Sequence, residues 1–89
     1  MIGIDVSKAS LSVCAWDGEA QRVRWELEVA NTEAGVRGLL ARTEPGEPWA
    51  LEPTGRYSEG VARLGLAQGR QVVMALPRAA KHFLTSVHP

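Results

Sequence analysis

Apolar and polar residues alternate along three segments in the first third of the chain. The alternation covers residues 2–6, 11–16 and 23–29, and a period of two is typical of strands with one buried face. The polar residues 7–10 form a short connection, and Asp17-Gly18 is a strong turn signal before the third segment. The chain is therefore predicted to begin with an antiparallel meander of three strands.

The spacing of apolar residues then changes to that of a helix. Val36, Leu39 and Leu40 fall on one helical face, and either Asn31 or Thr32 can cap the start. A loop rich in proline and glycine follows. The apolar run at residues 49–51 then predicts a short buried strand.

The remaining residues repeat this alternation of helix and strand. A second helix is predicted between Thr54, which can cap it, and Gly69, which can end it. The apolar run 72–76 predicts a strand covered on both faces. Pro77 suits the first turn of a third helix, whose apolar stripe includes Phe83.

This element order restricts the topology. Three meandering strands followed by two helical crossovers, each right-handed, give a mixed five-stranded sheet in the order 3-2-1-4-5. Strands 1–3 are antiparallel and the helices pack on the sheet. The predicted class is therefore an α/β fold of the ribonuclease-H-like type, formed by residues 1–89 as a single domain.

Composition and charge bear on the size of the domain and on its partners. With 89 residues, 45% of them hydrophobic, the chain fits one small globular domain. Ten basic side chains balance ten acidic ones, so net charge alone favours neither nucleic acid nor a membrane as partner. A single cysteine and the lack of a long apolar run predict a soluble, cytoplasmic protein without a membrane partner.

Two acidic residues fall at corresponding points of the predicted sheet. Asp5 lies on the first strand and Glu52 at the carboxyl end of the fourth, and these strands are predicted to be parallel neighbours. Paired carboxylates suit hard divalent cations that act on phosphodiesters. The structural alternative is that Asp5 supports a turn and Glu52 interacts with a helix dipole.

The motifs around these acids resemble a known family. The match rests on residues 3–8 (Gly-Ile-Asp-Val-Ser-Lys), on Asn31 and Gly35, and on residues 52–57 (Glu-Pro-Thr-Gly-Arg-Tyr). In this order and spacing they resemble the N-terminal domain of the DEDD transposases of bacterial insertion sequences, whose catalytic domain is similar to the Holliday-junction resolvase RuvC.

The resemblance implies an activity and a ligand set. Such transposases cut and rejoin DNA with four acids that hold Mg²⁺ (or Mn²⁺), and Asp5 and Glu52 match the first two. The last two lie further along the family's chain, and no aspartate follows Asp17 here. The chain is thus expected to be a truncated part of a longer transposase, inactive alone. The family also has a C-terminal domain with a serine implicated in recombination and works with a guide RNA.

Five residues are candidates for nucleic-acid contact: Lys8, Thr54, Arg56, Arg78 and Lys81. Basic side chains and helix N-termini can bind phosphates, although the same residues also suit a solvated surface or a simple helix cap. Exposure of Phe83 on a truncated third helix would favour a homo-oligomer.

Two other functions fit the same element order. One is the nucleotide-binding half of an actin-like ATPase or sugar kinase, which would need a glycine two residues after the aspartate, where this chain has Ser7. The other is a non-catalytic remnant or interaction domain with a degenerate site.

Overall fold

The computed structural model describes residues 1–52 and 55–74. Its strands are β1 (Ile2–Val6), β2 (Ser10–Asp17), β3 (Arg22–Ala30), β4 (Trp49–Leu51) and β5 (Val72–Val73). They form one five-stranded sheet in the order β3-β2-β1-β4-β5. β1 pairs with β2, and β2 with β3, in antiparallel fashion, whereas β4 is parallel to both β1 and β5. The predicted strand order is confirmed.

Two α-helices complete the described architecture, α1 (Glu33–Arg42) and α2 (Glu59–Ala67), with a short 3₁₀ helix (Gly55–Ser58) before α2. Both helices supply side chains to the core beneath one face of the sheet. The fully buried members of that core include Ile2, Ile4, Leu39 and Val61. The period-two pattern that predicted the first strands is thus the pattern that fills the core.

β3 lies at one edge of the sheet, and its burial follows the predicted alternation. Val23, Trp25, Leu27 and Val29 are half-buried and the intervening residues are exposed; Trp25, Leu27 and Val29 pack against the core. A bulge opposite Ala15 interrupts its pairing with β2. Bulges and charged side chains on an edge strand oppose pairing with other chains.

The start of α1 resolves a choice that the sequence leaves open. Thr32 is the N-cap, because its hydroxyl accepts a hydrogen bond from the backbone N–H of Gly35 at 3.1 Å. This bond satisfies a donor that the first helical turn leaves unpaired. Asn31 is therefore free to make contacts of a different kind.

The start of the second helix differs from the prediction. A single helix capped at Thr54 was expected, but Thr54 lies outside the described residues and α2 begins only at Glu59. Gly55 has φ +58°, a left-handed conformation that interrupts the α-helical geometry needed for a helix starting at Thr54. The 3₁₀ turn that follows is closed by Ser58 Oγ, which donates to the Gly55 carbonyl at 2.9 Å.

The end of α2 agrees with the prediction. Gly69, with φ +79°, follows the helix, and the next N–H, from Arg70, donates to the Gly65 carbonyl at 2.9 Å. The described β5 is shorter than the predicted 72–76. The predicted third helix lies outside the described residues.

A buried arginine fastens the end of α1 to the chain before β5. Arg70 is 7% exposed, and its guanidinium donates to the carbonyls of Leu40 and Thr43, each at 3.0 Å. These carbonyls belong to the C-terminal end of α1, where a cation is favourable. No helix within residues 1–52 and 55–74 is long and apolar enough to cross a membrane.

Candidate functional site

The two predicted acids lie level on neighbouring strands. The parallel register of β1 and β4 pairs Ile4 with Leu51, so the next position on each strand is Asp5 and Glu52. The backbone N–H of Glu52 donates to the Ile4 carbonyl at 3.3 Å, which extends the pairing to this level. Adjacent strands are about 4.8 Å apart, so the fold brings together two acids that are distant in sequence.

Asp5 lies on the face of the sheet opposite to Ile4, because successive residues of a strand alternate between faces. Asp5 is half-buried, and its partner in the pairing of β1 with β2 is Ser12. Gly3 and Cys14, a further cross-strand pair, are buried neighbours on that face. The residues beside Asp5 on β2 and on its own strand therefore have small side chains.

Glu52 is half-buried and directly follows β4. The chain is next described at Gly55, where the 3₁₀ helix begins. Arg56 lies on this helix and is exposed, with its guanidinium carbon 5.5 Å from the centre of the Tyr57 ring. The arrangement puts a cation on the short helix that follows Glu52.

The connection between β1 and β2 is a polar turn. Ser7 Oγ donates to the Ser10 carbonyl at 2.9 Å and accepts from the Ser10 backbone N–H at 3.3 Å. Lys8 is exposed on this turn, three residues after Asp5. Ser7 therefore forms the turn, as its position in the sequence suggested.

Asn31 links the two segments that follow the acids. Its side-chain amide donates to the Ser7 carbonyl at 2.8 Å and to the Tyr57 carbonyl at 3.0 Å. Its backbone N–H donates to the Ala9 carbonyl at 2.9 Å. Sequence reasoning considered Asn31 only as a helix cap and as part of a motif, because nothing in local spacing reveals contacts with such distant segments.

Three of the predicted nucleic-acid contacts, Thr54, Arg78 and Lys81, lie outside the described residues. Of the other two, Lys8 follows Asp5 and Arg56 follows Glu52. Both described cations are thus close in sequence to a predicted metal ligand.

Burial raises the pKa of the Cys14 thiol, although a backbone hydrogen bond with Gly3 opposes that shift. The thiol is therefore protonated at neutral pH and behaves as a small apolar group. Within the part of the chain that the structure describes, no group of three or more His, Cys, Asp or Glu residues is arranged to hold a metal ion. The two predicted ligands, Asp5 and Glu52, would by themselves be fewer than such a group requires.

The fold is a small α/β domain in which the backbone register sets Asp5 and Glu52 level on neighbouring segments. Comparison with protein families agrees: residues 2–88 match the family DEDD_Tnp_IS110, described as a transposase. The chain belongs to this transposase family, and the resemblance seen in the sequence motifs is confirmed. Comparison with curated proteins gives no match.

Proposed function

We propose that this chain is the N-terminal part of the catalytic domain of a DNA transposase, with an RNase-H-like fold and divalent-metal-dependent chemistry. The observation that carries the proposal is the β1–β4 register, which sets Asp5 and Glu52 level at the end of the ladder. Membership of the transposase family supports DNA as the substrate. The family match also favours this function over a nucleotide-binding ATPase or kinase.

Asp5 and Glu52 are the proposed ligands of Mg²⁺ or Mn²⁺. Carboxylate oxygens are the donors that these hard cations prefer, and two donors on adjacent strands fit such an ion. When bound, the ion polarises a phosphodiester and makes a water or DNA hydroxyl a better nucleophile. The contribution of the chain itself is to hold two negative charges close together on a rigid sheet.

The nucleic-acid contacts follow from the same placement. Lys8 and Arg56 are exposed on the segments after Asp5 and Glu52, where they can neutralise phosphates of DNA held at the acids. Thr54, Arg78 and Lys81 complete the proposed set. We further propose that a guide RNA, a homo-oligomer and a cytoplasmic location belong to the complete system.

The ligand set of this chain is incomplete. The family pattern calls for four acids, and no aspartate follows Asp17 in the sequence. The 89 residues are therefore proposed to bind metal weakly and to leave DNA uncut. Metal-dependent cleavage by the purified chain that is lost in Asp5→Ala would contradict this part of the proposal.

Titration with Mn²⁺, monitored by the paramagnetic signal of the free ion, tests the metal site. Asp5→Asn and Glu52→Gln keep the side-chain size and remove the charge, and each is expected to weaken binding by at least about tenfold, since even indirect partners of a metal contribute that much. Glu44→Gln, on the exposed loop after α1, is the control and should bind as the natural chain does. Equal affinity in all variants would refute the proposed metal site.

A further inference from the structure

Asn31 connects three parts of the chain that are far apart in sequence. Its backbone N–H donates a hydrogen bond to the Ala9 carbonyl. Its side-chain amide donates one hydrogen to the Ser7 carbonyl and the other to the Tyr57 carbonyl. The amide nitrogen of asparagine offers two donors, whereas the carboxylate of aspartate, which has the same size, offers none. The residue type is therefore matched to two carbonyl partners.

The two carbonyls that accept these bonds lie on the chain segments that follow Asp5 and Glu52. Ser7 is two residues after Asp5, and Tyr57 lies on the 3₁₀ helix after Glu52. The regular pairing of β1 with β4 ends at Ile4 and Leu51, so both acids lie just beyond it. Past that point the two segments are joined by the 3.3 Å bond from Glu52 to Ile4 and by the amide of Asn31.

The position of Asn31 is itself fixed by the corner between β3 and α1. The residue after Asn31 is Thr32, which caps α1, and Gly35 packs directly against the carbonyl of Ala30. A side chain at residue 35 would overlap Ala30, so this close approach sets the corner at which Asn31 lies. The cap bond of Thr32 joins residues of the first turn of α1 and does not involve Asn31.

We propose that Asn31 is a positioning residue that sets the relative placement of Asp5 and Glu52 by bonding to the segments after each of them. The inference rests on the proposed function, because it assigns Asn31 a role in the geometry of that metal site. Asn31 does not itself touch the metal or the DNA in this account.

Amide hydrogen exchange on the 89-residue chain tests the positioning directly. The Glu52 N–H reports the end of the β1–β4 pairing, and the Ile2 N–H, bonded to Pro48 at 2.8 Å, reports its other end. In Asn31→Ala and in Asn31→Leu, which keeps the branched shape without the hydrogen-bond donors, exchange at Glu52 should rise about five- to tenfold relative to Ile2, as expected for the loss of one or two hydrogen bonds.

Thr32→Ala is the matched control. It removes the helix cap at the same corner and lowers stability, but it leaves both bonds of the Asn31 amide in place. The exchange ratio of Glu52 to Ile2 should stay at its natural value in this variant. Mn²⁺ affinity should likewise fall by about tenfold in the Asn31 variants and be unchanged in Thr32→Ala.

The outcomes separate the two proposals. If the natural chain binds Mn²⁺ through Asp5 but the Asn31 variants bind and exchange as Thr32→Ala does, the positioning role is wrong and the proposed function stands. If no variant affects Mn²⁺ binding, including Asp5→Asn, the metal site is wrong. The exchange ratio then still decides whether Asn31 holds the two segments together.

Discussion

Gly35 lies against the backbone carbonyl oxygen of Ala30 so closely that a Cβ atom on residue 35 would overlap it. The contact joins the first turn of α1 to the end of β3. Since Thr32 and Asn31 lie between them, this approach fixes the corner from which the Asn31 amide reaches its two carbonyls. A glycine is required at position 35 for steric reasons alone, because its φ is not in the left-handed region.

Gly35→Ala is expected to destabilise the chain by about 1–3 kcal/mol, the usual range for overpacking a tight site. The matched control is Gly38→Ala on the same helix, where a new Cβ meets nothing within 4 Å. That variant should gain up to about 1 kcal/mol from helix propensity. Urea denaturation of both variants measures the difference, and two variants of equal stability would contradict the close contact.

Gly60 and Gly65 offer a similar comparison on α2. A Cβ at Gly65 would lie 3.0 Å and 3.1 Å from ring carbons of Trp49, a side chain that is fully buried. Overpacking there costs about 1–3 kcal/mol and outweighs the gain of about 1 kcal/mol in helix propensity. Thermal unfolding should therefore show Gly65→Ala below the natural chain and Gly60→Ala, in open space, at or above it.

Arg70 is expected to be essential for stability although it is distant from the acids. Arg70→Met keeps the apolar stem but leaves the carbonyls of Leu40 and Thr43 without their partner, at a cost of about 2–4 kcal/mol. Arg37→Met is the control, since Arg37 is exposed and pairs with Glu33 one turn away at 3.3 Å. Its expected loss is below about 0.5 kcal/mol. Chemical denaturation that ranks the two variants equally would contradict the structural role of Arg70.

The turn after β2 gives a pH dependence. The backbone N–H of Ala20, with a smaller contribution from that of Glu19, lowers the pKa of Asp17 below its ordinary value of 3.8. Asp17 therefore adds stability above that value, and the contribution is lost as the pH falls through the lowered pKa of the folded state. Asp17→Asn keeps the oxygen acceptor but cannot ionise. The unfolding free energy of this variant should therefore change less between about pH 4 and pH 2 than that of the natural chain. An unchanged slope would show that the turn does not bind the ionised form preferentially.

Much of the fold could be predicted from local patterns. The alternation of Ile2, Ile4 and Val6 against polar neighbours identified β1 and the face that is buried. The strand order followed because crossovers between parallel strands are right-handed. The exact start of α2 could not be predicted, since the left-handed Gly55 and the 3₁₀ turn depend on how the chain leaves β4.

The neighbouring placement of Asp5 and Glu52 could be predicted, because Asp5 lies on β1 and Glu52 directly follows β4, which the topology makes neighbours. No local pattern indicated the contacts of Asn31, whose partners are 24 and 26 residues away. Hydrogen bonds at such separation have no periodicity that a single sequence can reveal.

The amino-acid order by itself determined the strand pattern, the sheet order and the choice of acids, because hydrophobic periodicity and chain chirality act locally. Only the packed structure decided that Gly35 and Gly65 must lack side chains. It also decided that Arg70 binds the last carbonyls of α1, and that Asn31 joins the segments after both acids. Those features arise from close approach between elements, and close approach is a property of three-dimensional packing rather than of sequence spacing.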